Sequence, residues 1–117
     1  MAARSPDIAA QIRPAVLDDA PAIYALLATF STEGKVLPRP VADIQARIAN
    51  FLVAEQNGSI AACGALRDFG NNLNEIRSLV VRRDLAGQGI GSRLVKALLD
   101  KSAERSGGER GQVFALT

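Results

Sequence analysis

The chain has 117 residues, with 14 Lys and Arg against 12 Asp and Glu for a net charge of +2, a length that suits one domain around one core. The charge is too mild, and the basic residues too scattered among few aromatics, to favour nucleic acid. The absence of histidine excludes Ser-His-Asp and Cys-His hydrolysis, and one cysteine with scattered carboxylates is a poor metal-ligand set.

In chain order, residues 1–10 read as a loose leader of small and polar residues, and residues 11–16 as a short strand. Asp18 or Asp19 can cap a helix whose apolar positions Ile23, Leu26, Leu27 and Phe30 follow helical spacing. Residues 31–40, with Gly34, Pro38 and Pro40, make a loop. Residues 41–50 predict a second helix with Ile44 and Ile48 on one face. Residues 51–55 and 60–66 are strands flanking Asn57-Gly58, a strong hairpin signal. Residues 68–72 form a second turn cluster before a strand over residues 74–81. A third helix over residues 89–106 carries Ile90, Leu94 and Leu98 along one stripe, widened by Val95 and Leu99. Gly107, Gly108 and Gly111 break it ahead of a last strand over residues 112–117. The outcome is a mixed α/β domain, order β-α-α-β-β-β-α-β, spanning residues 11–117.

The lone Cys63 excludes an internal disulfide and fits a reducing cytoplasm. No apolar run approaches membrane-spanning length, and the N-terminus has no signal-peptide core.

The most informative stretch runs from Leu79-Val80-Val81 through Ala86-Gly87-Gln88-Gly89-Ile90-Gly91-Ser92. A β-branched strand stops at a charged turn, passes alternate glycines and enters an amphipathic helix. Glycines leave backbone N–H groups uncovered, and a helix N-terminus adds unpaired donors and the positive end of the macrodipole. Together they seat an anion, most naturally a phosphate. A P-loop would need Lys-Ser/Thr after its last glycine, whereas Gly91 precedes Ser92-Arg93; a dinucleotide fingerprint would need glycine where Leu94 stands. The plain alternative is a strand-to-helix turn whose glycines serve local geometry.

These residues resemble the cofactor loop of the GNAT acetyltransferases, Arg/Gln-x-x-Gly-x-Gly/Ala after a strand reading Leu-x-Val. Leu79, Val81, Gly89 and Gly91 match; Ala86 departs, standing where Arg or Gln is usual. The similarity extends through Ile12-Arg13-Pro14-Ala15 and Asp18-Asp19, then Gly34-Lys35-Val36-Leu37-Pro38-Arg39 and Phe51-Leu52-Val53-Ala54-Glu55. It continues in Ala62-Cys63-Gly64-Ala65-Leu66, Glu75-Ile76-Arg77-Ser78-Leu79 and Val113-Phe114-Ala115-Leu116-Thr117. In that order the segments are similar to short bacterial N-acetylglutamate synthases and the acetyltransferase domains of their longer relatives. In that family the fifth strand is followed by another helix and further strands. Ending at Thr117, the sequence reads as a fragment, a truncated product, or a domain completed by a partner chain.

The resemblance implies that loop amides from Gly87 to Ser92, with Ala86 at the edge, hold the pyrophosphate of acetyl-coenzyme A. It implies too that the backbone of Leu79, Val80 and Val81 pairs with the pantetheine arm and polarises the thioester carbonyl. Strand alternation puts Glu75, Arg77, Leu79 and Val81 on one face. That makes Glu75 the candidate general base, against the alternative that it pairs with Arg77 or is solvated. A dicarboxylate acceptor needs guanidinium forks, and Arg39 and Arg77 are the candidates. Ser78 and Cys63 are the expected substrate wall; a small core residue is the commoner role for such a cysteine. Arg82, Arg83 and Arg93 surround the glycine loop and either attract phosphates or are solvated. The implied partner is a small amino acid, L-glutamate of arginine biosynthesis, with no metal, nucleic acid or membrane; a homodimer is compatible with the sequence. The alternatives are another small amine as acceptor, or a non-catalytic cofactor-binding module.

Overall fold

In the computed structural model, which describes residues 10–32, 34, 39–71, 73–105 and 112–115, five strands form one sheet in chain order. They are β1 (Gln11–Pro14), β2 (Phe51–Gln56), β3 (Ser59–Asp68), β4 (Leu73–Val81) and β5 (Gln112–Ala115), with helices α1 (Ala20–Ser31), α2 (Val41–Ala46) and α3 (Ile90–Arg105). β1 through β4 are antiparallel neighbours and β5 lies parallel to β4. The expected element order is the observed one. Residues 1–9, the Gly107, Gly108 and Gly111 breaker and the Lys35–Pro38 part of the loop lie outside the described residues. Ala10, assigned to the leader by composition, is buried and accepts a hydrogen bond from Arg93 Nη2 at 2.6 Å.

Local chemistry sets these elements. Asn57 and Gly58 both take positive φ, 53° and 80°, which is the mirror-image two-residue turn that suits the twist of a hairpin. β1 ends at Pro14, which has no N–H to give the sheet; the Ala15 amide resumes the pairing by donating to Phe51 O at 3.0 Å.

The expected cap differs. Asp19 accepts from Val16 N–H at 2.8 Å and takes Arg13 Nη1 and Nη2 at 2.8 and 3.0 Å, so it closes the short 3-10 turn before α1 and does not cap α1 itself. Asp18 lies inside that turn, and among the described residues no side-chain bond caps α1. The second helix is shorter than its apolar spacing predicts. Arg47 leaves helical geometry at φ −115°, ψ 21°, and residues Ile48–Asn50 finish as a 3-10 turn.

The sheet separates two apolar layers. On one face, α1 and α2 bury Ile23, Leu27 and Ile44 against Phe51, Val53, Cys63 and Val80. On the other, α3 buries Ile90, Leu94 and Leu98 against Leu52, Ala62, Leu66 and Ile76. Each full burial of such a side chain contributes roughly 1.5–3 kcal/mol. Leu99, expected to widen the α3 stripe, is 44% exposed. Gly64 allows the close approach of α3: a Cβ there would stand 2.9 Å from Leu98 Cδ1 and 3.1 Å from Leu79 Cδ1. Asn74 Nδ2 donates to Ser102 Oγ at 2.9 Å, tying β4 to α3 through two buried polar groups. Among the described residues no helix is long and apolar enough to cross a membrane.

One expectation about β4 fails. Cys63 pairs with Val80 and Ala65 with Arg77, so Ser78 and Leu79 together face Gly64. This is a β-bulge, and the extra residue shifts the side-chain alternation by one. Arg77 and its neighbour Glu75 lie on the α1/α2 side, opposite Ala65 and Arg67, whereas Leu79 and Val81 pack with the α3 layer. The four residues therefore do not share a face.

Candidate active site

The glycine loop forms where β4 gives way to α3. Arg82 N–H still donates to Ala61 O at 2.8 Å, and Arg83–Leu85 make one 3-10 turn closed by Leu85 N–H to Arg82 O at 3.0 Å. Gly87 and Gly89 then take φ of 85° and 82°, a region that side chains other than glycine enter at a cost. The first bond of α3 described here runs from Arg93 N–H to Gly89 O at 3.1 Å. The amides of Ile90, Gly91 and Ser92 thus lie in the first turn, where no helical carbonyl stands behind them. A cavity of about 330 Å³ opens over these donors, walled by Val81, Leu85 and Ala86 with Gly87 and Gly89 to Ser92. Of the expected loop residues, only Gln88 is not part of that lining.

The arginines around this loop are engaged elsewhere. Arg82 pairs with Asp84 at 2.7 Å and donates to Ser59 Oγ at 3.1 Å. Arg83 lies over the Phe30 ring at 5.2 Å, and Arg93 holds Ala10. Among the described residues, the donors that border this cavity are therefore backbone amides, while these three arginines have contacts of their own.

β4 has a second open feature. β5 pairs with β4 only from Leu73 to Ile76, so past Ile76 the β5-side edge of β4 has no strand partner among the described residues. The Ser78 bulge starts two residues beyond Ile76, the last β4 residue paired with the described part of β5.

On the α1/α2 side of β4 lies a cleft of about 250 Å³ into which Arg39, Arg47, Arg67 and Arg77 converge, with Phe51 and Ala65 beneath. Arg77 Nε stands 2.9 Å from Glu75 Oε1, a carboxylate only 5% exposed, so the pairing alternative for Glu75 is the one realised. Arg39 holds Asp43 at 2.9 Å, lies 5.1 Å from the Phe51 ring centroid and donates through Nη1 to Ser78 Oγ at 2.9 Å. Arg47 reaches the other Asp43 oxygen at 3.2 Å. Hydrogen bonds from Arg39 and Arg47 hold the Asp43 carboxyl below its usual range. Arg67 lies over Phe69 at 4.8 Å.

Cys63 is fully buried against this region and donates to Ser78 O at 3.4 Å. Burial pushes its thiol up to about 12, against the smaller opposing pull of Arg39. The structure therefore links Arg39 and Cys63 to Ser78, and Arg77 to Glu75, in neighbouring parts of β4. Arg47 and Arg67 were not anticipated. The i,i+4 spacing of Arg39, Asp43 and Arg47 is visible in the sequence, but nothing there separates it from an ordinary solvated helix face.

The profile of the acetyltransferase (GNAT) family matches residues 20–115. The chain belongs to the GNAT acetyltransferase family. It is 37% identical over 108 residues to an uncharacterised N-acetyltransferase of Chlorobaculum tepidum, covering 91% of this chain and 66% of that protein. To an amino-acid acetyltransferase of Mycobacterium tuberculosis it is 32% identical, covering 100% of this chain and 67% of that protein. The structure of N-acetylglutamate synthase from Neisseria gonorrhoeae, complexed with coenzyme A and N-acetyl-glutamate, superposes with a TM-score of 0.84 at 30% identity, over 92% of this chain and 25% of that one. The chain thus spans about two thirds of the shorter relatives and a quarter of the longer one. The GNAT order of elements, with its mixed sheet and three helices, is the fold described above.

Proposed function

We propose that this GNAT domain transfers the acetyl group of acetyl-coenzyme A to the amine of an acidic amino acid, L-glutamate being the best candidate. The observation that carries the reading is the layout of β4: Arg77 lines a cleft of arginines, and Val81, further along the same strand, lines the glycine-loop cavity. A phosphorylated acyl carrier and a carboxylate-bearing acceptor would approach one strand from separate sides.

The amides of the loop and of the first turn of α3 hold the pyrophosphate, whose charge their dipoles favour. The pantetheine arm lies along β4 beyond Ile76, and an amide at the bulge donates to the thioester oxygen as negative charge develops there. Arg77, joined by Arg47 and Arg67, binds the acceptor's carboxylates. The acceptor nitrogen attacks the carbonyl carbon, the C–S bond breaks, and the coenzyme leaves as thiolate. Glu75, buried and paired with the cleft residue Arg77, is the proposed acceptor of the amine proton.

Calorimetry with acetyl-coenzyme A, followed by thiol release over a panel of amino acids, tests this reading. Binding with glutamate-dependent thiol release is expected. Release with a neutral amine but not with glutamate would move the acceptor class, and binding without release would leave a cofactor-binding module.

A further inference from the structure

Ser78 is the one bulge residue of β4 with φ in the left-handed region, at 55°. For a residue with a side chain this conformation is unfavourable, and such strain persists only where surrounding groups over-determine it. Two groups from outside β4 do so. Arg39 Nη1 grips the Ser78 hydroxyl at 2.9 Å, and Cys63 Sγ grips the Ser78 carbonyl at 3.4 Å. Arg39 is itself fixed: Nε and Nη2 both stand 2.9 Å from Asp43 Oδ2, and its plane rests on Phe51. An unbroken set of contacts therefore runs from α2 through Arg39 to the Ser78 bulge of β4. Much of the Arg39 fork is already used inside the protein, which suits a strut better than an acceptor clamp.

We propose that Arg39 is a positioning residue, which with the Cys63 thiol locks the Ser78 bulge and so aims the amides beyond it at the thioester carbonyl. The proposal rests on the acetyl-transfer reading above and assigns Arg39 to the chemical step, leaving acceptor affinity to the other arginines. Glycine adopts positive φ without cost, so a glycine at position 78 makes the lock dispensable. A carboxylate ligand could not be replaced in that way.

The test compares the full chain with Arg39→Gln, Ser78→Ala and the double variant Arg39→Gln/Ser78→Gly. The readouts are kcat and acceptor KM with L-glutamate, and hydrogen exchange across residues 77–81. Misplacing the bulge should lower kcat in Arg39→Gln by about tenfold or more while acceptor KM stays within about twofold. Ser78→Ala should show the same split, and it carries the comparison alone if Arg39→Gln fails to fold. The double variant should recover most of the lost kcat, and exchange should quicken in both single variants. A rise in KM at constant kcat, or no recovery with glycine, overturns the proposal. If the unaltered chain releases no thiol, the transferase reading fails by itself. Exchange then decides the lock: faster exchange in both single variants sustains it, and unchanged exchange overturns it.

Discussion

The two cavities along β4 are made of different material. The glycine-loop cavity is walled by glycine backbone with small and aliphatic side chains, and its geometry comes from two glycines at positive φ and one helix start. The arginine cleft is walled by long charged side chains, three of them held by carboxylates or a serine that reach in from α2 and β4. A backbone site is set by torsion angles and tolerates few residues at its turning points. A charged side-chain site is set by its pairs, so removing one member leaves another without its partner. The first should fail abruptly on a change of shape, and the second by degrees, through its network.

The largest effect is expected at Gly89. Nothing lies within 4 Å of the place a Cβ would occupy there, but φ is 82°, so Gly89→Val leaves room for the side chain while opposing the turn. The backbone penalty of roughly 1–2 kcal/mol and a side chain over the donors should together abolish measurable coenzyme A binding in calorimetry. Gly91 has no positive φ, and a Cβ there meets Val81 Cγ2 at 3.5 Å, an ordinary contact. Gly91→Ala should bind nearly as well as the unaltered chain. Equal losses at both positions would mean that side-chain bulk, not torsion, governs the loop.

Arg77 tests the other cavity. Removing it takes a fork from the proposed acceptor site and strands the buried Glu75 carboxylate. Arg77→Ala should raise acceptor KM about tenfold to a hundredfold, matching roughly 1.5–3 kcal/mol for a charge-assisted bond, with coenzyme A affinity unchanged. Arg77→Lys should do nearly as much harm, because an ammonium cannot present two prongs. Arg77→Ala should also lower the melting temperature, and adding Glu75→Gln should restore part of it. If Arg77→Ala destabilises the chain without any selective effect on glutamate, Arg77 serves Glu75 alone.

The same contrast explains what could be read from the residues in order. The hairpin at Asn57-Gly58, the strand order and the Ile90, Leu94 and Leu98 stripe of α3 are local patterns, and they appear where periodicity places them, Leu99 excepted. The glycine turn into α3 was legible for the same reason, since Gly87, Gly89 and the start of α3 are neighbours in sequence. The bulge at Ser78 was not. It arises from a mismatch of one residue between β3 and β4, and no feature of Glu75-Ile76-Arg77-Ser78-Leu79 alone announces it. With it went the expectation that Glu75 and Leu79 share a face. Asp19 was legible as a capping residue by type, but Arg13 and Val16 determine which turn it closes. Pairings between distant segments, Arg39 with Ser78 above all, depend on the assembled sheet.

A weaker effect is expected from acid. Arg39, and after it Arg47, lower the Asp43 carboxyl below its ordinary value, so this clamp stabilises the fold above the unfolded carboxylate pKa of about 3.9. Its contribution is lost as pH falls through the folded value beneath that. The melting-temperature gap between the unaltered chain and Asp43→Asn should be constant near neutrality and close below about pH 4. Asp84, lowered by Arg82 but set in open solvent beside the loop, should give a smaller gap that vanishes in salt. A larger gap for Asp84 than for Asp43 would reverse the comparison, making the loop the region that depends on ion pairing.

The smallest effect separates the two cavities most sharply. Ala86 borders the glycine-loop cavity at φ −64° and ψ 146°, an extended conformation open to any residue. Ala86 is exposed, so Ala86→Arg adds a guanidinium at the rim without strain or burial. A solvated charge of this kind is worth about 0.2–1 kcal/mol, which corresponds to a tightening of coenzyme A binding of no more than about fivefold, eroded by salt. Calorimetry at low and high ionic strength reads it directly. Tightening of that size would agree with a seat that backbone donors already fill. A gain well beyond about tenfold that persists in salt would mean that the seat is short of side-chain charge, and the loop would then belong with the arginine cleft as a site built from pairs.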